Sequence, residues 1–176
     1  MVQQLILGGA RSGKSRLAER LAEDSNGEVV YIATATRCDD DPEMVARIEQ
    51  HRRRRPGHWR LVEEPLQLAE TLFRHQGSGR CLVVDCLTLW LSNLLLIDEG
   101  KHFQREREAL LTLLPDLQGD LILVANEVGM GIVPMGELSR RFQDESGWMQ
   151  QQVAKHVDRV VLTVAGLPLT LKGESL

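Results

Sequence analysis

Eight residues near the amino end constrain this chain more than any others. The run Gly8-Gly9-Ala10-Arg11-Ser12-Gly13-Lys14-Ser15 fits the pattern G-x-x-x-x-G-K-[ST]. The apolar run Leu5-Ile6-Leu7 before it predicts a strand, and Arg16-Leu17-Ala18-Glu19-Arg20-Leu21-Ala22 after it predicts a helix. The pattern carries mechanical meaning in that strand–loop–helix context. Glycines let successive backbone N–H groups curl around a polyphosphate, and the helix N-terminus behind them adds its positive dipole. Lys14 is then placed to reach the β- and γ-phosphates, and the Ser15 hydroxyl to ligate Mg²⁺.

The rest of the chain alternates strands with helices. Val29-Val30-Tyr31-Ile32-Ala33, Cys81-Leu82-Val83-Val84-Asp85 and Leu121-Ile122-Leu123-Val124-Ala125-Asn126 are apolar runs of strand length, and residues 159–164 add a fifth. Residues 59–63 suit a short extended piece, and residues 168–172 a final edge strand. Helices are predicted over 43–54, 65–75, 103–114 and 137–156, the last with an interruption near Gly147. The first of these opens on Asp41 and Pro42 and places Met44, Ile48 and His51 on one face. Such alternation predicts an α/β fold of the P-loop NTPase type, a mainly parallel sheet with helices on both faces. Ligands of such sheets lie at the carboxyl ends of the strands. The phosphate loop, Thr34, Asp85 and Asn126 all fall at such ends.

With 176 residues the chain is expected to form a single domain spanning 1–176. Its formal net charge of −4 offers no strong attraction to nucleic acid or to an anionic membrane. No apolar stretch reaches the roughly 18–20 residues that span a bilayer. The greasiest segment, residues 87–97, is interrupted by Ser92 and Asn93 and suits a buried helix or an oligomer face. Cys38, Cys81 and Cys86 have no metal-ligand spacing and no even framework, which fits a reducing, cytoplasmic setting.

Three further features bear on chemistry. Asp85 ends an apolar strand, where P-loop enzymes place the acid that holds Mg²⁺; a helix N-cap is the other reading. His51-Arg52-Arg53-Arg54-Arg55 allows three readings. It suits a solvated basic helix end, favoured by the macrodipole. It suits nucleic acid less well, for want of interleaved aromatic residues. It also suits a nucleotide site in which arginines hold phosphates and His51 supplies a nucleophile, since imidazole titrates near about 6.5. The apolar Gly-rich stretch Asn126-Glu127-Val128-Gly129-Met130-Gly131-Ile132-Val133-Pro134 is a tight turn after a strand, or a loop facing substrate or another subunit.

With these residues assembled, the chain resembles the bifunctional adenosylcobinamide kinase / adenosylcobinamide-phosphate guanylyltransferase family. The resemblance covers most of the chain. It rests on G-G-A-R-S-G-K-S, on Y-I-A-T from Tyr31 and on E-M-V-A-R-I from Glu43. It continues through His51 to Trp59 and Asp85 to Asn93, and N-E-V-G-M-G-I-V-P from Asn126 makes it specific. The resemblance implies two reactions. ATP or GTP phosphorylates the aminopropanol hydroxyl of adenosylcobinamide. GMP from GTP then passes to the resulting phosphate through a histidine adduct, giving adenosylcobinamide-GDP and pyrophosphate. It implies that His51 carries GMP, and that Arg52, Arg53, Arg54 and Arg55 contact nucleotide. Thr34, Ala35, Thr36 and Glu63 match further nucleotide-contacting positions. A cytosolic homotrimer is implied, with neighbouring subunits helping to build each site. One departure stands out: members often carry Asn-Gln after the positions of Asp144 and Gly147, where this chain has Met149-Gln150-Gln151-Gln152. On the phosphate loop and Asp85 alone, a small P-loop kinase of another metabolite or a non-enzymatic NTP-binding module would also fit.

Overall fold

The structure, a computed structural model, describes residues 1–35, 45, 46, 49, 55–97 and 101–176. Among these residues one sheet contains β1 (Gln3–Gly8), β2 (Glu28–Ala33), β3 (Arg60–Glu63), β4 (Arg80–Asp85), β5 (Asp120–Asn126), β6 (Arg159–Val164) and β7 (Leu167–Lys172). Their order is β3-β2-β4-β5-β1-β6-β7. All pairings are parallel except the last, where β7 returns antiparallel to β6. The helices are α1 (Lys14–Glu23), α2 (Leu68–His75), α3 (Leu87–Leu95), α4 (Lys101–Leu113) and α5 (Glu137–His156). None of the described helices is long and apolar enough to cross a membrane.

Side chains alternate across a strand, so each continuous apolar run supplies two cores. Leu5, Ile32, Val84 and Leu123 face one side, under Leu72 of α2, Trp90 of α3, Phe103 of α4 and Met149 of α5. Ile6, Tyr31, Val83 and Val124 face the other side, under Leu17, Ala18 and Ala22 of α1 and against Trp59. The helices on both faces that the alternation predicts are therefore present.

Of the two readings of the apolar segment at 87–97, the buried helix is observed: Leu87, Trp90, Leu91 and Leu94 of α3 are fully buried. Two sequence expectations are corrected. Residues 65–67 are not helical, because the Glu64 carboxylate accepts from the backbone N–H groups of Leu66 (2.9 Å) and Gln67 (2.8 Å) and holds them in a turn before α2. Helix α5 runs unbroken through Gly147. Of the helix predicted over 43–54, Val45, Ala46 and Glu49 are helical, and the other positions lie outside the described residues.

Candidate functional site

The carboxyl edge of the sheet is built by register. Gly8 at the end of β1 pairs with Asn126 of β5 on one side and Thr163 of β6 on the other. Asp85 at the end of β4 lies level with Ala33 of β2, and Ala33 with Glu63 of β3. The sheet order leaves one strand, β5, between the phosphate loop and Asp85.

The phosphate loop turns sharply into α1. Gly13 is the N-cap residue, with φ 101°, and Arg11 also has a positive φ of 56°. Glycine is required at Gly8 for a different reason. A Cβ there would lie 2.6 Å from the Thr163 carbonyl oxygen and against Ser12 Oγ. The β6–β7 turn supports the loop from beneath, where the Gly166 N–H donates to the Ser12 carbonyl at 2.9 Å. The first turn of α1 holds no acidic side chain, so its dipole faces the loop without a carboxylate to neutralise it. Lys14 is buried, and its Nζ donates to the Gly9 carbonyl at 2.9 Å. Burial lowers its pKa below the ordinary lysine value, while Cys86 and Asp85 nearby oppose that shift. Ser15 is half-buried in the same turn.

Asp85 does not cap α3; Cys86 holds the N-cap position and makes no side-chain cap bond. Instead the Asp85 carboxylate accepts the Tyr31 phenol at 2.7 Å. The Tyr31 ring stacks on Trp59, with centroids 6.2 Å apart, and the Arg55 guanidinium sits 4.4 Å above it. Burial, followed by the Asp85 charge and hydrogen bond, pushes the Tyr31 pKa well above its ordinary value. The Arg55 Nη1 is buried and has no hydrogen-bond partner among the described residues.

Thr34 is fully buried, and its hydroxyl is fully used. It donates to the Cys86 carbonyl (2.7 Å) and accepts from the Cys86 N–H (2.9 Å). Its side chain thus acts on the site by clamping β2 to the turn after Asp85. Ala35 follows at the same edge, half-buried, and Glu63 is exposed there. Thr36, His51, Arg52, Arg53 and Arg54 lie outside the described residues.

The Gly-rich stretch after β5 is held from both ends. The Glu127 N–H donates to the Gly8 carbonyl at 3.0 Å. The Glu127 carboxylate accepts from the N–H groups of Gly129 (2.7 Å) and Met130 (3.1 Å). From α5, Gln143 donates to the Val128 carbonyl (3.0 Å) and Gln150 to the Asn126 carbonyl (2.8 Å). At the family departure, Met149 is therefore core and Gln150 holds the end of β5. A groove of about 290 Å³ runs between this stretch, α3 and α5. A larger one of about 720 Å³, lined by Phe73, Gln76, Arg105 and Gln118, lies by the amino ends of β4 and β5, away from this chemistry.

Sequence reasoning did not single out Tyr31, Trp59 or Gln150 as site residues. The available signals were that Tyr31 is the one tyrosine of the chain and that Tyr31 and Trp59 fall in segments that carry the resemblance. Its partner Asp85 is 54 residues away and emerges only with the register of β2 on β4.

A sequence model of the CobU family, described as cobinamide kinase / cobinamide phosphate guanyltransferase, matches residues 4–171. The chain is similar to the bifunctional adenosylcobalamin biosynthesis protein CobP of Pseudomonas aeruginosa, with 61% identity over 175 residues, 99% of this chain and 100% of that protein. It is 39% identical over 181 residues to the bifunctional adenosylcobalamin biosynthesis protein CobU of Escherichia coli K12, covering 96% of this chain and 98% of that protein. Among solved structures, a prototypical ATPase from the type III secretion system of pathogenic bacteria superposes with a TM-score of 0.58 at 12% identity. That superposition covers 96% of this chain and 56% of the ATPase chain, and is a likeness of fold.

Proposed function

This chain belongs to the cobinamide kinase / cobinamide phosphate guanyltransferase family, and from that premise we propose that both of its transfers run at the carboxyl edge of the sheet. It is a bifunctional transferase of adenosylcobalamin biosynthesis. The observation that carries the assignment of residues is the phosphate loop and buried Lys14 facing Asp85 across a single strand.

In the first reaction, the aminopropanol hydroxyl of adenosylcobinamide attacks the γ-phosphate of ATP or GTP, and the nucleoside diphosphate leaves. The amides of Gly8, Gly9, Ala10, Arg11, Ser12 and Gly13, with Lys14, hold the transferring charge. The Ser15 hydroxyl and the Asp85 carboxylate are hard oxygen donors, and such sites take Mg²⁺ with one or two protein ligands plus substrate phosphates. When bound there, Mg²⁺ would neutralise phosphate charge. In the second reaction, a neutral His51 ring nitrogen attacks the α-phosphate of GTP and pyrophosphate leaves. The phosphate of adenosylcobinamide phosphate then attacks the histidine-bound phosphorus, forming adenosylcobinamide-GDP and releasing the imidazole. The Nη1 of Arg55, without a hydrogen-bond partner among the described residues, supports an anion-binding role for the run from Arg52 to Arg55. Thr34, Ala35, Thr36 and Glu63 contribute to the nucleotide edge, Thr34 through its clamp on Cys86.

We also place the whole activity in one domain, in the cytoplasm and in a homotrimer. Buried free Cys81 and Cys86 suit a reducing compartment. The test is mass spectrometry of the protein after incubation with GTP and Mg²⁺. A GMP adduct should map to His51. His51→Ala should lose both the adduct and guanylyl transfer, while retaining part of its kinase activity. An adduct that persists on the alanine variant, or that maps elsewhere, overturns the assignment.

A further inference from the structure

Tyr31 has a place in the site that packing alone does not explain. It stands in β2 in register with Val83 of β4, so Asp85, two residues on, is its diagonal neighbour on the same face. A phenylalanine would fill the space against Trp59 equally well. The hydroxyl adds one bond, and that bond goes to Asp85 Oδ2 at 2.7 Å. Phenol to carboxylate is a charge-assisted contact, among the stronger hydrogen bonds in proteins. It restrains rotation of the carboxylate about its own axis, and so helps set where both oxygens point. The ring is fixed in turn, with Trp59 stacked at an interplanar angle of 28° and the Arg55 guanidinium over it. Arg55 directly follows Arg54 in the arginine run and stands four residues after His51.

We propose that Tyr31 is a positioning residue: seated by Arg55 and Trp59, its phenol holds the Asp85 carboxylate in the orientation that receives the metal–nucleotide complex. The inference rests on the reading of Asp85 as the metal-holding acid. It links two parts of the sequence that the two reactions use separately. The guanylyl side contributes Arg55, the kinase side contributes Asp85, and one buried ring lies between them. Loss of the hydroxyl leaves Asp85 in place but removes one of the contacts that orient its carboxylate, so the effect belongs to metal binding.

The experiment titrates Mn²⁺ into the full-length protein saturated with a non-hydrolysable GTP analogue, with free Mn²⁺ read by electron paramagnetic resonance. Tyr31→Phe should weaken Mn²⁺ binding on the order of tenfold, as for loss of one charge-assisted bond. Affinity for the analogue without metal should stay unchanged, a split that a merely structural role would not produce. Asp85→Asn run alongside should weaken Mn²⁺ binding further. If Asp85→Asn leaves the titration unmoved, the reading of Asp85 falls and this inference with it. If Asp85→Asn shifts it and folded Tyr31→Phe does not, the inference alone is overturned. Arg55→Lys keeps the cation but loses the flat stacked group, and does not disturb the tyrosine–carboxylate bond directly. It should shift the titration in the same direction by a smaller factor; no shift there overturns the part given to Arg55.

Discussion

Lys14 shows how one side chain can be prepared by its surroundings. Its ammonium is buried, donates to its own loop through the Gly9 carbonyl, and has a lowered pKa because burial removes water. A polyphosphate would replace that carbonyl with a far better acceptor. Lys14→Ala should therefore reduce kinase turnover by about 10²–10³-fold while the melting temperature stays near that of the parent protein. Near-normal phosphorylation of adenosylcobinamide by the variant would refute the role. Cys81 and Cys86 show the opposite use of burial. Both thiols are pushed up from 9.0 to about 11, chiefly by burial. The unfolded thiols ionise first as pH rises, so the unfolded state binds fewer protons in that window. Stability from these groups is fully present below about pH 9 and is lost as pH rises through about 11. Denaturant melts from pH 8 to 11 should show that decline, and Cys81→Ala with Cys86→Ala should flatten it. The same thiols should resist iodoacetamide at pH 8 until the protein is unfolded, as peptide mapping would show.

At the scale of elements, the phosphate loop is held by structure on both sides. Gly8 passes between Thr163 of β6 and Ser12 of the loop, with no room for a methyl group. Gly8→Ala must move the loop or the end of β6. It should cost roughly 1–3 kcal/mol, as overpacking does, and should raise the KM for nucleotide in both reactions. A variant with unchanged melting temperature and unchanged KM would show that the loop has slack. Helix α3 does related work on the other side of β5. Its Thr88 hydroxyl accepts the Asn126 N–H at 2.6 Å, and its Asn93 amide donates to the carbonyls of Thr34 and Pro65. One helix therefore ties the ends of β2 and β5 around Asp85. Its apolar residues are needed for core, and its few polar residues align the site.

The whole molecule leaves apolar surface where a solitary domain gains nothing from it. Ile132 and Met135 beyond β5 are 97% and 96% exposed, and Leu167 on outer strand β7 is 71% exposed. Leu169 and Leu171 continue the β7 stripe. Contiguous exposed apolar patches mark interaction surfaces. The protein should sediment as a homotrimer at micromolar concentration. Ile132→Asp combined with Met135→Asp should shift it toward monomer without loss of far-ultraviolet circular dichroism. A parent protein that sediments as a fully active monomer would exclude the trimer.

The chain's own order was enough for most features that depend on neighbours in sequence; the turn at 65–67 and the continuity of α5 through Gly147 were the exceptions. The phosphate loop, the apolar strands, the end of α4 at Pro115 and the short edge strands follow from spacing, side-chain period and the backbone limits of glycine and proline. The sequence offered His51 and the arginine run as one of three readings and the resemblance selected the nucleotide site; of that segment Arg55 lies among the described residues, and His51 to Arg54 do not. Register decided the rest. Side-chain alternation says which residues of a strand share a face; it cannot say which strand lies alongside or how far it slides. Placing β5 between β1 and β4 brought Lys14 toward Asp85, and pairing β2 with β4 brought Tyr31 onto it. Both are long-range choices made by burying two cores at once, and the Tyr31 hydroxyl acquires its meaning only there.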